Sequence, residues 1–406
     1  MSRKSKYRKI LWMLVFLCTA LFACMGYYEM RDVLPDQVSI VEGEQENFLE
    51  QLERPWLTLD DAIPASGRES FTLHCSLFGA IPLKQIKVQV VEPTDIYVSG
   101  NTVGVYMETQ GVLIIDSGEI TGEDGLNYQP AKNLVQPGDY IVAMNQEQVG
   151  NKRELIHKIQ TCDGSSVELS LLRRGEEIQM ALDPIVDEMG DYKLGIWVRD
   201  NTQGIGTLTY MDQDGNFGAL GHGISDVDTG ELMQIKNGDL YRAQVMGIHK
   251  GTKGSPGELS GLIRYDNSNI IGKISKNGEN GIYGSLDPQY AQSLSFQPVE
   301  VGYKQEMELG EASILCSVDG KVEEYQVEIT SIDLNHPDTN KSFVLKVTDQ
   351  RLLEKTGGIV QGMSGSPVLQ NKKIVGAVTH VFVQDSTGGY GIFIENMLKN
   401  NKDYAM

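Results

Sequence analysis

The sequence predicts a mainly β protein behind one N-terminal membrane-spanning segment, and three observations predict it. Ile10 to Tyr28 is a 19-residue stretch without a charge, and the tail before it carries Arg3, Lys4, Lys6, Arg8 and Lys9 but no acid. Beyond it, short alternating apolar runs are separated by Gly, Asn and Asp turns, and 44 glycines are spread through 406 residues. Near the C-terminus, Gly362-Met363-Ser364-Gly365-Ser366-Pro367-Val368 sets a serine between glycines, ahead of the apolar run Ile374-Val375-Gly376-Ala377-Val378. A neighbour without a side chain lets a carbonyl approach the hydroxyl and lets backbone N–H groups point at a developing oxyanion.

The N-terminal elements come first. Residues 1–9 read as a cytoplasmic basic tail and residues 10–28 as a transmembrane segment or uncleaved signal anchor. The positive charge on its N-terminal side predicts that everything after about residue 29 lies outside the cytoplasm. A cleaved signal peptide is the alternative. Leu21-Phe22-Ala23-Cys24 resembles a lipoprotein cleavage box, but Phe22 is bulky for one. Residues 29–96 read as a tether with a short β element; its first part, roughly 29–68, is polar and acidic and carries Pro35, Pro55 and Pro64. That element is the pair Phe71–Cys75 and Ile86–Val90 around a Gly79/Pro82 turn, with His74 a strand residue.

Composition excludes some classes. The formal net charge is −20 in spite of the basic tail. A body that acidic offers no face for phosphates, so nucleic acid is not the expected partner. The five cysteines show no CxxC or metal-ligand spacing. Cys18 and Cys24 lie in the apolar segment; Cys75, Cys162 and Cys316 fall in separate elements. An odd count speaks against a disulfide framework, and no metal or organic cofactor is called for.

Residues 97–184 change rhythm. Val103-Gly104-Val105 precedes the strand Gly111–Ile115, and Val135-Gln136-Pro137-Gly138-Asp139 leads into the strand Tyr140–Met144. A helix opens at Asn151 with Leu155, Ile156 and Ile159 on one face, and Val167–Leu172 closes the segment before the Arg173-Arg174-Gly175 turn. This order resembles the PDZ domains of bacterial membrane proteases. Such a domain binds a peptide as an added strand, holding its carboxylate on a loop of the apolar-Gly-apolar kind. Val103, Gly104 and Val105 are the expected loop; His157 falls on the polar side of the helix.

Residues 186–406 read as many short strands with little helix, which fits a double β-barrel peptidase of the chymotrypsin-like class. A serine nucleophile needs a base, and the base needs an orienting group. Of six histidines, His74 and His157 are placed above, His249 follows an apolar strand, and His336 sits in the turn Asn335-His336-Pro337. His222 lies between glycines after an apolar run, in Leu220-Gly221-His222-Gly223, where a base belongs. His380 continues the strand after the serine. Thr379, His380 and Val381 are therefore expected to line the substrate cleft. For the orienting carboxylate, Asp226, Asp228, Asp333 and Asp349 compete on sequence alone.

At Leu220-Gly221-His222-Gly223, and from Thr348-Asp349 through Thr356-Gly357-Gly358-Ile359-Val360-Gln361 to Gly362-Met363-Ser364-Gly365-Ser366-Pro367, the chain resembles the SpoIVB family of serine peptidases. The resemblance covers nearly the full length. It implies a triad of His222 as base, Asp349 as orienter and Ser364 as nucleophile, and by analogy of the turn an oxyanion hole from the N–H groups of Gly362 and Ser364. It also implies secretion from the forespore into the space between the two spore membranes, with the N-terminus in the forespore cytoplasm. Self-cleavage would release a form of the enzyme. A membrane-anchored regulator of an intramembrane protease would be its substrate, and activation of a late mother-cell sigma factor the outcome.

Met363 stands where digestive enzymes keep an aspartate for a new N-terminus, so switching is expected from self-cleavage or the PDZ domain. Gly358 takes the place of the primary pocket base and implies no strong preference for a charged residue there. Two other readings stand beside this one. One is a PDZ scaffold with an idle protease-shaped domain. The other is an HtrA-like quality-control protease, against which the PDZ-before-protease order speaks.

Overall fold

The computed structural model describes residues 3–52, 54–60, 70–294, 297–335 and 340–402. His336 and residues 61–69 of the expected tether lie outside them. The chain opens with the helix Arg3–Val33, which contains the expected membrane segment. Its stretch Tyr7–Val33 is long and apolar enough to cross a membrane.

The expected β element is present and larger than the sequence suggested. Ser70–Leu77 pairs antiparallel with Ile81–Val91. Phe78 and Gly79 both take positive φ (51° and 69°) in the turn closed by Ala80 N donating to the Leu77 carbonyl (3.1 Å), and Leu77 pairs with Ile81 across it. Gln37–Val41 adds in parallel to one edge and Leu57–Asp60 in antiparallel to the other, giving a four-stranded sheet. Part of the expected tether is thus folded. Four of the five residues of Gln37–Val41 are buried, so this strand belongs to the core of the unit although its alternating run, Gln37 to Ile40, is short.

The long strand Thr102–Ser117 serves two folded units at once. Its second half pairs with Tyr140–Met144, which pairs with Val167–Arg173 and then Glu176–Leu182. The helix Lys152–Gln160 covers this sheet. Asn151 caps it by accepting from Glu154 N, and Glu154 reaches back to Gly150 N, closing a reciprocal cap. Leu155 and Ile159 are buried as expected, but Ile156 is exposed. The Pro-Gly-Asp turn is tied down by its buried Asp139, which accepts two bonds from Arg173 (2.7 and 2.6 Å). This is the PDZ-type unit, with its own apolar core.

The first half of the same strand belongs to a barrel. Thr102–Glu108 pairs with Asn201–Thr207 on one edge and with Asn237–Arg242 on the other. Asn216–Ala219, Gly281–Leu286 and Ile270–Gly278 complete a closed ring of six strands. The PDZ-type unit therefore sits between the first and second strands of the first barrel. The sequence reading separated 97–184 from 186–406, but the backbone ladder runs across that cut. The second barrel is a closed ring of Gly310–Cys316, Glu323–Ile332, Phe343–Val347, Gly388–Phe393, Lys373–Val381 and Pro367–Gln370.

Val103, Gly104 and Val105 lie inside this doubly paired strand, with both valines buried. No free edge remains there for an added peptide, which corrects the expected carboxylate loop. Gly104 has a different physical role: a Cβ on it would stand 2.8 Å from the Ile263 side chain, so its bareness lets a neighbouring hairpin lie across the strand.

Candidate active site

The serine turn is built at the contact between the barrels. Gly362 and Gly365 both have positive φ (99° and 92°), a region that favours glycine. A Cβ on Gly365 would lie 2.2 Å from the Thr207 carbonyl oxygen and 2.5 Å from Leu220 N. Met363 is buried in the core of the second barrel. From the first barrel, Thr207 Oγ1 donates to the Gly362 carbonyl and Thr209 Oγ1 to the Gly365 carbonyl, each at 2.8 Å. Thr207 N donates to the Ser364 carbonyl at 2.9 Å. The sequence reading missed these two threonines. They sit in an ordinary-looking strand, and only the meeting of the barrels gives them a task.

Ser364 N has no acceptor among the described residues, so that N–H is available to an oxyanion. The hydroxyl itself donates to the Thr379 carbonyl at 2.8 Å. Thr379 is buried, and its own hydroxyl donates to the Asn340 carbonyl at 2.7 Å.

His222 comes to the same strand from the first barrel. Leu220 and Gly221 before it both take positive φ (69° and 70°), a costly conformation for leucine that turns the chain sharply. Asn277 braces the loop after it by accepting from Ile224 N and donating to the carbonyls of Ile224 and Met233. The His222 ring lies 4.8 Å from that of His380, with 35° between the planes. Its Nδ1 is 2.8 Å from the Gly223 carbonyl. A carbonyl only accepts, so Nδ1 carries the proton and Nε2 keeps its lone pair, the tautomer a general base requires. Burial lowers the His222 pKa, which keeps the ring neutral. His380 is pulled down to about 4 by burial, then by the nearby His222 and Lys341.

The structure thus gathers Ser364, His222, Thr379 and His380, but it does not bring a carboxylate to His222. No carboxylate among the described residues bonds to that ring. Asp349 caps the helix Gln350–Thr356, accepts from Gln326 N, and pairs with Arg351 at 2.8 Å. Those hydrogen bonds, led by Arg351, hold its pKa below the usual carboxylate value. Asp226 is buried and accepts from the N–H groups of Asp228 and Thr229 (both 3.0 Å) and from Arg199; Asp228 also pairs with Arg199. Asp333 accepts from Asn335 N at 3.1 Å. In this conformation the Gly223 carbonyl takes the orienting position.

Asp349→Asn therefore discriminates. Asn caps a helix as well as Asp does, so with Asp349 as a cap the substitution is expected to leave stability within about 1 kcal/mol of wild type and to cost less than tenfold in kcat. A loss on the order of 10⁴-fold in kcat with an unchanged melting temperature would show instead that a rearrangement delivers this carboxylate to His222.

Gly358 packs against the Ser386 backbone; a Cβ there would be 2.1 Å from its carbonyl oxygen. The loop after His249 lies over this region, with Gly251 N donating to Thr356 O (3.0 Å) and Gly254 N to Val383 O (2.9 Å). His249, His74 and His157 are exposed and stand on other elements. All five cysteines are free thiols, and burial raises the pKa of Cys75 to about 11 and that of Cys316 further.

Comparison with known proteins matches the two parts of the fold. The family model described as SpoIVB peptidase S55 matches residues 190–398, more than half of the chain. The PDZ domain of the SdrC-like protein of Listeria monocytogenes is 21% identical, over 22% of this chain and 87% of that one, with a TM-score of 0.18. The Rv3671c protease of M. tuberculosis, in an inactive form, is 12% identical over 48% of this chain and 81% of that one, with a TM-score of 0.28. The fold assignment rests on the strand order and barrel closure described above.

Proposed function

The chain belongs to the SpoIVB peptidase S55 family, and from that premise we propose that it is a membrane-tethered serine endopeptidase with Ser364 as nucleophile and His222 as base. The observation that carries this reading is the glycine-flanked Ser364 turn, pinned between the barrels and bonded to Thr379, whose neighbour His380 packs against the His222 ring. In the reaction, Ser364 Oγ leaves the Thr379 carbonyl, gives its proton to His222 Nε2 and attacks the peptide carbonyl. The N–H of Ser364, with that of Gly362, stabilises the oxyanion. His222 then returns the proton to the leaving amine, and water hydrolyses the acyl-enzyme by the reverse route.

The substrates in this reading are the enzyme itself, near its N-terminus, and a membrane-anchored regulator of an intramembrane protease. The outcome is activation of a late mother-cell sigma factor in sporulation. The helix Arg3–Val33 would hold the enzyme in the forespore inner membrane, with its N-terminus in the forespore cytoplasm and the barrels in the intermembrane space, until self-cleavage releases them. A peptide ligand of the PDZ-type unit would bind elsewhere than at Val103–Val105.

Self-processing tests this reading. The part from about residue 29 is produced as wild type and as Ser364→Ala, and the mass of each is followed. Shortening of the wild type alone is expected. Equal shortening in both would assign the cuts to another protease. It would then favour the scaffold reading, which has one observation on its side: Ser364 is bonded to Thr379, with no bond to His222.

The pH dependence has a definite sign. A base must be neutral to act, and burial lowers the His222 pKa from 6.5. The acid limb of kcat/KM is therefore expected below pH 6.5, with full activity retained at neutral pH. A limb above 6.5 would mean that a carboxylate stabilises the charged ring in the working enzyme.

A further inference from the structure

The end of the apolar helix is fixed against the N-terminal sheet. Tyr27 and Met30 pack on the core of that sheet. The Tyr27 hydroxyl donates to the Pro82 carbonyl at 2.9 Å. Lys84 Nζ donates to the Leu34 carbonyl at 2.6 Å and to the Arg31 carbonyl at 3.4 Å. From Lys84 back to Pro82 the strand thus passes from the level of Leu34 to that of Tyr27. The turn at Phe78 and Gly79 lies further in the same direction, toward the apolar segment. At 1.5 Å per residue the uncharged stretch Ile10–Tyr28 measures about 29 Å, close to the hydrocarbon thickness of a bilayer, so Tyr27 stands at its outer boundary.

We infer that the Phe78–Pro82 turn enters the headgroup layer of the membrane that this helix spans, a second contact between the folded body and the lipid. The inference rests on the spanning reading of Arg3–Val33 and is independent of the peptidase reading. Continuity with the helix fixes the occupant, because the bond from Tyr27 to Pro82 sets the turn at the membrane boundary. Leu77–Leu83 carries no charge, in a chain whose formal net charge is −20. Phe78 and Ile81 are 70% and 52% exposed, and Pro82 is exposed beside them. Phe78 holds φ at 51°, strained for a bulky residue, and its ring gains little burial within the protein in return. Lipid supplies that burial. The rings of Tyr27 and Tyr28 pack edge to face on the helix, and the Trp56 carbonyl accepts from Phe78 N at 2.9 Å. Tyrosine and tryptophan are the side chains enriched where a membrane meets water. An acidic body has no attraction to anionic headgroups, so apolar side chains are what hold the turn there. Two contacts in place of one hold the body in a single orientation to the membrane.

The test places the full chain in phosphatidylcholine vesicles, with and without bromine on the upper part of the acyl chains, which quenches nearby indole emission. Gln89 is an exposed site on the same strand, roughly 23 Å from Pro82, and the emission that Phe78→Trp adds is expected to be quenched at least about twofold more than the emission that Gln89→Trp adds. With Ile81→Asp added to Phe78→Trp, quenching at position 78 is expected to fall to the level at position 89. Equal quenching at the two positions in the single variants overturns the inference. So does quenching that Ile81→Asp leaves in full, since the new indole alone would then be the membrane-seeking group. Trp12 lies in the apolar segment and reports on the helix itself. Wild-type emission that bromine leaves untouched overturns the spanning reading and the turn contact together. Quenching of the wild type, with none added at position 78, overturns the turn contact alone.

Discussion

Ser364→Ala and His222→Ala are each expected to reduce peptide turnover by on the order of 10⁴- to 10⁶-fold, and the double variant to be no worse than the worse single one. In the proposed mechanism nucleophile and base act as a unit, so once either is gone the other contributes nothing further. Stability separates this loss from unfolding. The Ser364 hydroxyl makes one hydrogen bond, to the Thr379 carbonyl, and a bond of that kind contributes about 1 kcal/mol. A melting temperature within a few degrees of wild type is therefore expected for Ser364→Ala. Additive losses in the double variant would show that the two residues do not share one proton transfer.

Gly365→Ala is expected to cost both stability and activity. At φ 92° any side chain is strained, and the new Cβ would meet the Thr207 carbonyl oxygen at 2.2 Å and Leu220 N at 2.5 Å. These are backbone atoms of the first barrel and cannot rotate away. The turn must lift, taking Ser364 with it and loosening the bonds from Thr207 and Thr209. A cost of roughly 3 kcal/mol or more is expected, with at least ~10²-fold lost in kcat/KM from misplacement of the nucleophile. Gly230→Ala is the control. Gly230 has a similar φ, 72°, but open space around its Cβ position, so only the conformational strain of about 1 kcal/mol is expected. Equal costs at the two positions in denaturant unfolding would show that the barrel contact is soft.

Legibility varied with the range of the interactions. The hairpin around Gly79, the cap at Asn151 and the serine turn each depend on residues a few positions apart, and each is visible in the chain. The strand Thr102–Ser117 shows the opposite case. Its apolar-Gly-apolar start looks like a ligand loop, because nothing nearby reveals that Asn201–Thr207 and Asn237–Arg242 close on both its edges. Asp349 stands in the expected triad through family resemblance, with no local signal to separate it from the competing aspartates. Its bonds to Arg351 and Gln326 depend on where a helix and a second strand lie in space.

What the sequence by itself determined is the family and the local backbone around the two candidate residues. Gly362 and Gly365 near Ser364, and Gly221 and Gly223 beside His222, are written in the chain and are what suggested the proposed nucleophile and base. The apolar N-terminal segment is likewise a matter of composition along one helix. Only the tertiary structure decided the rest. It inserted the PDZ-type unit between the first two strands of the first barrel, made the Gly223 carbonyl the partner of His222, and gave Thr207 and Thr209 the serine turn to hold. The reason is physical: each of these is a contact between segments far apart in the chain, and such a contact exists only once both barrels have closed.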